Sequence, residues 1–214
     1  MLELFDYYRS TASYRVRITL NIKEVPYTRN TVHLVQDGGQ QHNAEYSAIN
    51  PTNLVPSLKL PNGKVLIQSA AIIEYLEEEF PNPRLLPNET LARADIRAIT
   101  NIIAADIHPL NNLRVLQYLT KELSISQEEK SLWYEKWIQK GFMAIETILE
   151  QNSSNGKFCF GNTTTLADIF LIPQVYNAHR FNCDMKVFPL ISSINEACLK
   201  LEPFHNAAPE SITE

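Results

Sequence analysis

Three hydroxyl side chains lie where a strand pattern gives way to a helix pattern near the N-terminus. Apolar residues alternate over residues 2–5, which predicts a strand, and a helical pattern then runs to about Lys23. Ser10, Thr11 and Ser13 lie at this junction, and each can cap a helix. The N–H groups of a helix start and its dipole stabilise an anion by ~0.3–1 kcal/mol. The pattern alone leaves two interpretations open, a capped helix or an anion site.

A second pair of features of this kind occurs further along the chain. Val55 precedes Pro56, and a residue before proline is extended, so its backbone N–H and C=O are predicted to pair with an extended ligand at the sheet edge. Ser69 follows Gln68 at the start of another helix pattern and is a second candidate anion site. A peptide-like ligand with a carboxylate would fit both features. The alternative is an edge strand followed by a second capped helix.

The elements that must position these residues alternate between strand and helix over residues 1–81. Their order predicts an α/β unit with a mixed sheet of about four strands. A proline-rich stretch at 82–88 is predicted to be a linker. Helical periodicity follows over 89–214, which predicts an all-helical domain with a loose tail from Asn206. The first helix has two apolar faces, so we expect the sheet on one side and another part of the protein, such as the second domain, on the other.

Several features of the helical part have a local physical meaning. Pro109 interrupts a helical pattern and is predicted to kink that helix, whereas Gly141 is predicted to let another helix pack closely. Thr165 and Asp168 have the spacing of a capping box. The helix that follows is apolar on nearly every side, so we expect it to be central. Arg180 at its far end suits the helix dipole.

Composition limits the possible partners. The formal net charge of −5 argues against nucleic acid or an anionic membrane surface. No apolar run approaches the ~18 residues of a membrane span and no signal peptide is evident, so a cytoplasmic protein is expected. The three cysteines are widely spaced and are interpreted as free buried thiols in a reducing compartment. The five histidines lack ligand spacing, so no metal site is predicted, and the acidic run at 77–79 is interpreted as a solvated face.

Several short motifs occur together along the chain: Val55-Pro56, Gln68-Ser69, the proline-rich linker and T-x-A-D at residues 165–168. In this combination the chain resembles the cytosolic glutathione transferases. The opening block at residues 9–18, R-S-T-A-S-Y-R-V-R-I, looks specifically like the zeta class, the maleylacetoacetate isomerases. T-x-A-D is shared across glutathione transferases, whereas the opening block is specific, and the resemblance covers essentially the whole chain.

This resemblance implies the glutathione transferase fold, an α/β thioredoxin-like N-terminal domain plus an all-α C-terminal domain, in a homodimer that uses glutathione. Ser10 matches the catalytic serine that orients or activates the glutathione sulfur, and Thr11 matches a second serine beside it. Other matched positions contact glutathione: Gln41, Val55, Gln68 and Ser69, with Pro56 as a cis-proline.

The substrate implied by the resemblance is a small dicarboxylate. Arg180 matches an arginine proposed to hold a substrate carboxylate, and Arg9 is a second candidate for such a charge-assisted pair. His108 stands where some members have glutamine and is also a substrate-binding candidate. Ala12 departs from the family, many of whose members have cysteine there, so the reactive sulfur is expected to come from glutathione.

The activity implied by the resemblance is isomerisation of maleylacetoacetate to fumarylacetoacetate in tyrosine and phenylalanine degradation. The glutathione thiolate would add to the cis double bond, allow rotation and then be eliminated. Three alternatives remain open: a maleylpyruvate isomerase, a general glutathione transferase, and a non-catalytic glutathione-fold binding protein. A general transferase would not need Arg180, and a binding protein would be indifferent to Ser10.

Overall fold

The chain divides into two units in the computed structural model, which describes residues 1–151 and 156–212. The first unit comprises Met1–Arg84 and the chain from Lys200 onward, and the second comprises Leu85–Leu199. The first division falls inside the predicted proline-rich linker. The C-terminal segment differs from the prediction, because it lies with the first unit instead of continuing the helical domain.

Four strands form the sheet of the first unit: β1 (Leu2–Asp6), β2 (Tyr27–Thr31), β3 (Ser57–Lys59) and β4 (Val65–Ile67). Their order is β2-β1-β3-β4, with β1 and β2 parallel and the other two pairs antiparallel, so the predicted mixed sheet is confirmed. Residues of the turn itself stabilise the predicted β3–β4 hairpin. Asn62 Oδ1 accepts a hydrogen bond from Lys64 N–H at 3.0 Å, and Gly63 has a φ of +85°, which favours a residue without a Cβ.

The α-helices of the described residues are α1 (Thr11–Ile22), α2 (Ala44–Ile49), α3 (Ser69–Glu79), α4 (Thr90–Asn101), α5 (Leu113–Lys121), α6 (Gln127–Gln151), α7 (Leu166–Arg180), α8 (Pro189–Leu199) and α9 (Glu202–His205). Helices α1–α3 and α9 belong to the first unit, and α4–α8 belong to the second. The described part of the second unit is therefore helical, as predicted, apart from an isolated β-bridge between Phe158 and Gly161.

Helix α1 is buried on both of its apolar faces. Every residue from Thr11 to Leu20 is buried, and the helix packs against α3 and α9. The hydroxyl of Tyr14 donates a hydrogen bond to the Phe204 carbonyl at 3.1 Å. Burial on two sides is thus confirmed, but the element that covers the second side is the C-terminal segment of the same unit.

The C-terminal segment is held by buried contacts, so the prediction of a loose tail from Asn206 is wrong. Ala207 is fully buried, and its carbonyl accepts a hydrogen bond from Arg17 Nε at 3.0 Å. The same guanidinium donates to Asp6 Oδ1 at 2.7 Å and to the Tyr8 carbonyl at 2.9 Å. The contact between α1 and the tail joins residues 190 positions apart, which no local pattern reveals.

The acidic run at the end of α3 is only partly solvated. Glu78 and Glu79 are exposed, but Glu77 is buried and its carboxylate pairs with Lys23. The Lys23 ammonium also donates to the Phe80 carbonyl at 2.7 Å, so one cation fastens the C-terminal end of α3. A charge can be buried here because it is paired and hydrogen-bonded.

Helix α7 is the buried centre of the second unit, as predicted, with its first ten residues all buried. The Asp168 carboxylate accepts hydrogen bonds from Thr165 N–H at 2.7 Å and from Cys159 N–H at 2.9 Å. The Thr165 hydroxyl donates to the same carboxylate at 3.0 Å. Burial raises the pKa of Asp168, while these hydrogen bonds oppose the rise. The predicted cap therefore also fixes the chain that precedes α7.

The helical pattern before Pro109 ends in a π-helical turn and does not continue through a kink. Helix α4 passes into this turn at Ile102–Ile107, and the chain then turns before α5 begins. Proline lacks an N–H and clashes with the preceding turn, which favours termination. Gly141 packs closely against the π-helical turn, because a Cβ there would lie 2.3 Å from side-chain atoms of Ile107. Its predicted role is confirmed.

The three cysteines are free and buried, as predicted. Within residues 1–151 and 156–212, no helix combines the length and apolar character that a membrane crossing requires. The same residues contain no group of three or more His, Cys, Asp or Glu side chains that could hold a metal ion.

Candidate active site

Ser10 caps α1 and keeps a hydrogen to donate. Its backbone is extended, with φ −71° and ψ 117°, and its Oγ accepts a hydrogen bond from Ser13 N–H at 3.2 Å. The structure therefore confirms that Ser10 caps α1, and this cap does not exclude an anion site. A hydroxyl that accepts a hydrogen bond can still donate its own hydrogen. Ser10 is partly exposed whereas Thr11 is only 3% exposed, so Ser10 is the more accessible hydroxyl at this helix start.

The cysteines do not offer an alternative nucleophile. Burial raises the pKa of Cys159 and Cys198, and it raises the pKa of Cys183 to about 11. The thiolate is the reactive form of cysteine, and a buried thiol with a raised pKa is inert at neutral pH. With alanine at position 12, a sulfur nucleophile at the start of α1 must come from a ligand.

The start of α3 presents a second set of donors. Gln68 precedes the helix at a φ of +70°, in the left-handed region that costs a residue with a Cβ ~1–3 kcal/mol, and its side chain does not cap the helix. Ser69 is the first helical residue and is 8% exposed. Its Oγ lies 3.3 Å from Nη1 of Arg15, which is itself 1% exposed on α1. Arg15 thus connects the two helices whose starts carry the predicted serines.

Val55 offers both of its backbone groups to a ligand. The Val55-Pro56 peptide bond is cis, as the resemblance implied. Among the described residues, neither the N–H nor the C=O of Val55 has a protein hydrogen-bond partner. The preceding carbonyl, of Leu54, accepts hydrogen bonds from Asn50 Nδ2 at 2.8 Å and from the Tyr46 hydroxyl at 2.7 Å. These two buried residues hold the loop that presents Val55.

The roles of Asn50 and Tyr46 were missed by sequence reasoning. Asn50 is 1% exposed, and its amide also donates to Ser57 Oγ at 3.0 Å. The Asn50-Pro51 turn signal could have indicated a positioning role for this residue, but nothing local marks Tyr46.

Gln41 has an unused acceptor in a tight turn. The side chain is 6% exposed and its Nε2 donates to the Leu34 carbonyl at 3.3 Å. Its Oε1 is buried without a protein partner in the described part of the chain. Gly39 has a φ of +102°, and a Cβ there would lie 2.6 Å from Gln41 Nε2. An orphaned buried acceptor of this kind suits an N–H group of a ligand.

The predicted site residues fall in both units. One group lies in the first unit: Arg9, Ser10, Thr11, Gln41, Val55, Pro56, Gln68 and Ser69. His108 and Arg180 lie in the second. Arg9 is exposed, with its guanidinium carbon 5.0 Å from the centroid of the Tyr8 ring. Arg180 is the exposed last residue of α7, and its guanidinium carbon lies 5.4 Å from the centroid of the Phe181 ring.

Comparison with known proteins identifies the family of the chain. The family model for the glutathione S-transferase N-terminal domain matches residues 4–84, and that for the C-terminal domain matches residues 109–202. The chain is 48% identical over 210 residues to a probable maleylacetoacetate isomerase of Vibrio cholerae, covering 98% of this chain and 96% of the relative. It is 44% identical over 209 residues to a maleylpyruvate isomerase of a Ralstonia species, covering 97% of each chain.

Two solved structures extend the likeness to the fold. A zeta-class maleylpyruvate isomerase in its holo form gives a TM-score of 0.96 at 42% identity, covering 99% of each chain. A maleylacetoacetate isomerase of Methylobacterium extorquens with bound malonate and glutathione gives 0.94 at 34% identity, covering 99% of this chain and 98% of that one. The chain therefore belongs to the glutathione S-transferase family. Within it the chain is a zeta-class member, with a thioredoxin-like first domain and a helical second domain.

Proposed function

We propose that this protein is a glutathione-dependent isomerase that converts maleylacetoacetate to fumarylacetoacetate in tyrosine and phenylalanine degradation. The observation that carries the proposal is the hydrogen bonding of the Ser10 hydroxyl. Its oxygen is engaged by Ser13 N–H, so its hydrogen can be donated to an anion at the start of α1. A family member with this serine, and with no reactive thiol of its own, has the equipment for chemistry on a bound thiolate.

The residues of the first unit fit glutathione group by group. The N–H and C=O of Val55 can pair with a peptide backbone, as in the addition of a strand to a sheet edge. Ser69 and the N–H groups that begin α3 suit a carboxylate. The buried Oε1 of Gln41 can accept from an N–H group. Glutathione offers all three kinds of group together with a thiol.

When bound, glutathione supplies a thiolate that adds reversibly to the cis double bond and thereby lets the carbon–carbon bond rotate. The part played by this chain is electrostatic and positional. Ser10 donates a hydrogen bond to the sulfur, and the dipole of α1 favours its negative charge. Arg9, His108 and Arg180 are proposed to hold the substrate carboxylates, for which charge-assisted hydrogen bonds are suited.

Isomerisation of maleylpyruvate is the second candidate function. The likeness to the Ralstonia relative and to the zeta-class holo structure, both maleylpyruvate isomerases, favours it. The two substrates share the cis double bond and carboxylates, so they call on the same residues and differ only in what the substrate pocket must accommodate.

We extend the proposal to a homodimer in the cytoplasm on the strength of the family likeness. Light scattering coupled to gel filtration tests the first point, and fractionation of the source cells tests the second. A monomer at micromolar concentration, or enrichment outside the cytoplasmic fraction, would contradict the respective statement.

A direct assay decides between the candidate functions. The purified protein is given maleylacetoacetate, maleylpyruvate or a chlorodinitrobenzene-type acceptor, each with and without glutathione. We expect glutathione-dependent turnover, with the highest kcat/KM on maleylacetoacetate. Higher kcat/KM on maleylpyruvate would favour the second candidate, and activity on the aromatic acceptor alone would identify a general transferase. Glutathione binding without any turnover would identify a non-catalytic binding protein.

A further inference from the structure

Arg15 is a buried cation directly behind the start of α3. It lies on α1, its side chain is 1% exposed, and Nη1 is 3.3 Å from Ser69 Oγ. Burial lowers the pKa of Arg15 to about 9, which still leaves the guanidinium charged at neutral pH. Burying a charge is costly, so a charge kept at this position calls for a physical reason.

The direction of the hydrogen bond between Arg15 and Ser69 is fixed by chemistry. A guanidinium has only donors, so Ser69 Oγ must be the acceptor. The hydroxyl hydrogen of Ser69 must then be donated elsewhere. The N–H groups of the first turn of α3 have no intrahelical acceptor, and the side chain of Gln68 does not cap them. The hydroxyl of Ser69 and these N–H groups therefore form a set of donors at one helix start, with a cation behind it.

We propose that Arg15 is a positioning residue that fixes the Ser69 hydroxyl as a donor and thereby makes this helix start select a carboxylate over a neutral group of the same shape. The proposal rests on the proposed function, since the carboxylate is one of the two that glutathione carries. A carboxylate accepts hydrogen bonds only, whereas a carboxamide also presents donors. Donors that cannot reverse their direction therefore discriminate between the two.

A second buried arginine provides a matched control. Arg17 lies two residues further along the same helix and is fully buried. It donates to Asp6 and to the carbonyls of Tyr8 and Ala207. Arg17→Lys removes hydrogen bonds from the core of the first unit and leaves the contact between Arg15 and Ser69 in place. Its effect on affinity therefore measures general destabilisation.

The test is isothermal titration calorimetry with glutathione and with its two monoamides, one at the glycine carboxylate and one at the γ-glutamyl α-carboxylate. We expect wild-type protein to bind one monoamide at least about tenfold more weakly than glutathione. In Arg15→Met and in Ser69→Ala, that ratio should fall to about threefold or less. Arg15→Lys should restore most of it, because lysine is also a cation with donors only. Arg17→Lys should keep the wild-type ratio even if its melting temperature falls.

The outcomes separate this inference from the proposed function. If wild-type protein does not bind glutathione, the proposed function fails and the inference fails with it. If wild-type protein binds all three ligands equally, or if Ser69→Ala keeps the wild-type ratio, the inference alone is wrong. Equal losses of acid and amide binding in Arg15→Met would show that Arg15 acts only through folding. Ser69→Ala tests the donor step even if Arg15→Met does not fold, since Ser69 is at a helix start.

Discussion

Two replacements of Ser10 test the contributions of its two hydrogen bonds separately. Its oxygen accepts from Ser13 N–H at 3.2 Å, which stabilises α1, and its hydrogen is proposed to be donated to the glutathione sulfur. Ser10→Ala removes both. Ser10→Gly also leaves no side-chain donor, but glycine at an N-cap costs a helix only a few tenths of a kcal/mol. The pair of variants therefore distinguishes the capping interpretation from the catalytic one.

The expected magnitudes differ enough to be measured separately. Loss of an N-cap costs ~1 kcal/mol, which corresponds to about 2–4 °C in the melting temperature of a protein of this size. Loss of a hydrogen bond to a charged sulfur costs ~1.5–3 kcal/mol, which corresponds to roughly ten- to a hundredfold in kcat/KM. Ser10→Ala should show both effects. Ser10→Gly should recover most of the melting temperature but not the turnover.

The assay combines calorimetric melting, steady-state kinetics on the maleyl substrate and ultraviolet titration of the bound thiolate. The pKa of the bound thiol should be higher in both variants than in wild-type protein, because a donor to the charged form has been removed. Recovery of activity together with stability in Ser10→Gly would refute the reasoning. Ser10 would then be only a helix cap.

Four further predictions concern the rest of the protein. Gly39→Ala should weaken glutathione binding about tenfold, because its Cβ would displace the Gln41 amide. Gly38→Ala is the control, because Gly38 also has a positive φ but a Cβ there meets no atom within 4 Å. Calorimetric titration should show weaker binding in Gly39→Ala only. Replacement of all three cysteines by serine should leave glutathione-dependent turnover. Burial raises the pKa of Cys183 from 9.0 to about 11, so between these pH values the native state holds a proton that the unfolded chain releases. The free energy of unfolding should therefore fall as pH rises from 9.0 to about 11. Urea titrations should show a shallower fall in Cys183→Ser than in the wild-type protein. Arg180→Ala should raise the KM for a maleyl substrate about tenfold, with glutathione affinity and conjugation of an uncharged acceptor unchanged; equal losses on charged and uncharged substrates would assign Arg180 a structural role.

The features of the fold that the sequence predicts are those with a local cause. The β3–β4 hairpin, the cap of α7 and the close approach at Gly141 each depend on residues near one another in the chain or on one missing side chain. The covering of α1 could not be predicted in this way. Its two apolar faces indicate two partners but do not identify them, and the partner on the second face begins about 180 residues later.

In the site, too, the residues with a local cause could be predicted and the contacts between residues distant in the sequence could not. Ser10 and Ser69 could be found from capping patterns, and Val55 from the proline that follows it. The buried charges could not. Lys23 and Glu77 look like surface residues in the sequence because charged side chains are almost never fully buried unless paired, and their pairing joins residues 54 positions apart. Arg15 and Ser69 are separated by the same number of positions.

The two serines share one physical principle. In each, a protein donor occupies the hydroxyl oxygen, namely the Ser13 N–H for Ser10 and the Arg15 guanidinium for Ser69. Each hydroxyl is thereby left as a donor at a helix start, where the dipole also favours negative charge. Hydroxyl and backbone N–H groups do not titrate near neutral pH, unlike histidine. We therefore expect two anionic groups of one ligand to be recognised by donors that do not titrate near neutral pH. In that range, the pH dependence of binding should follow the ionisation of the ligand's own thiol.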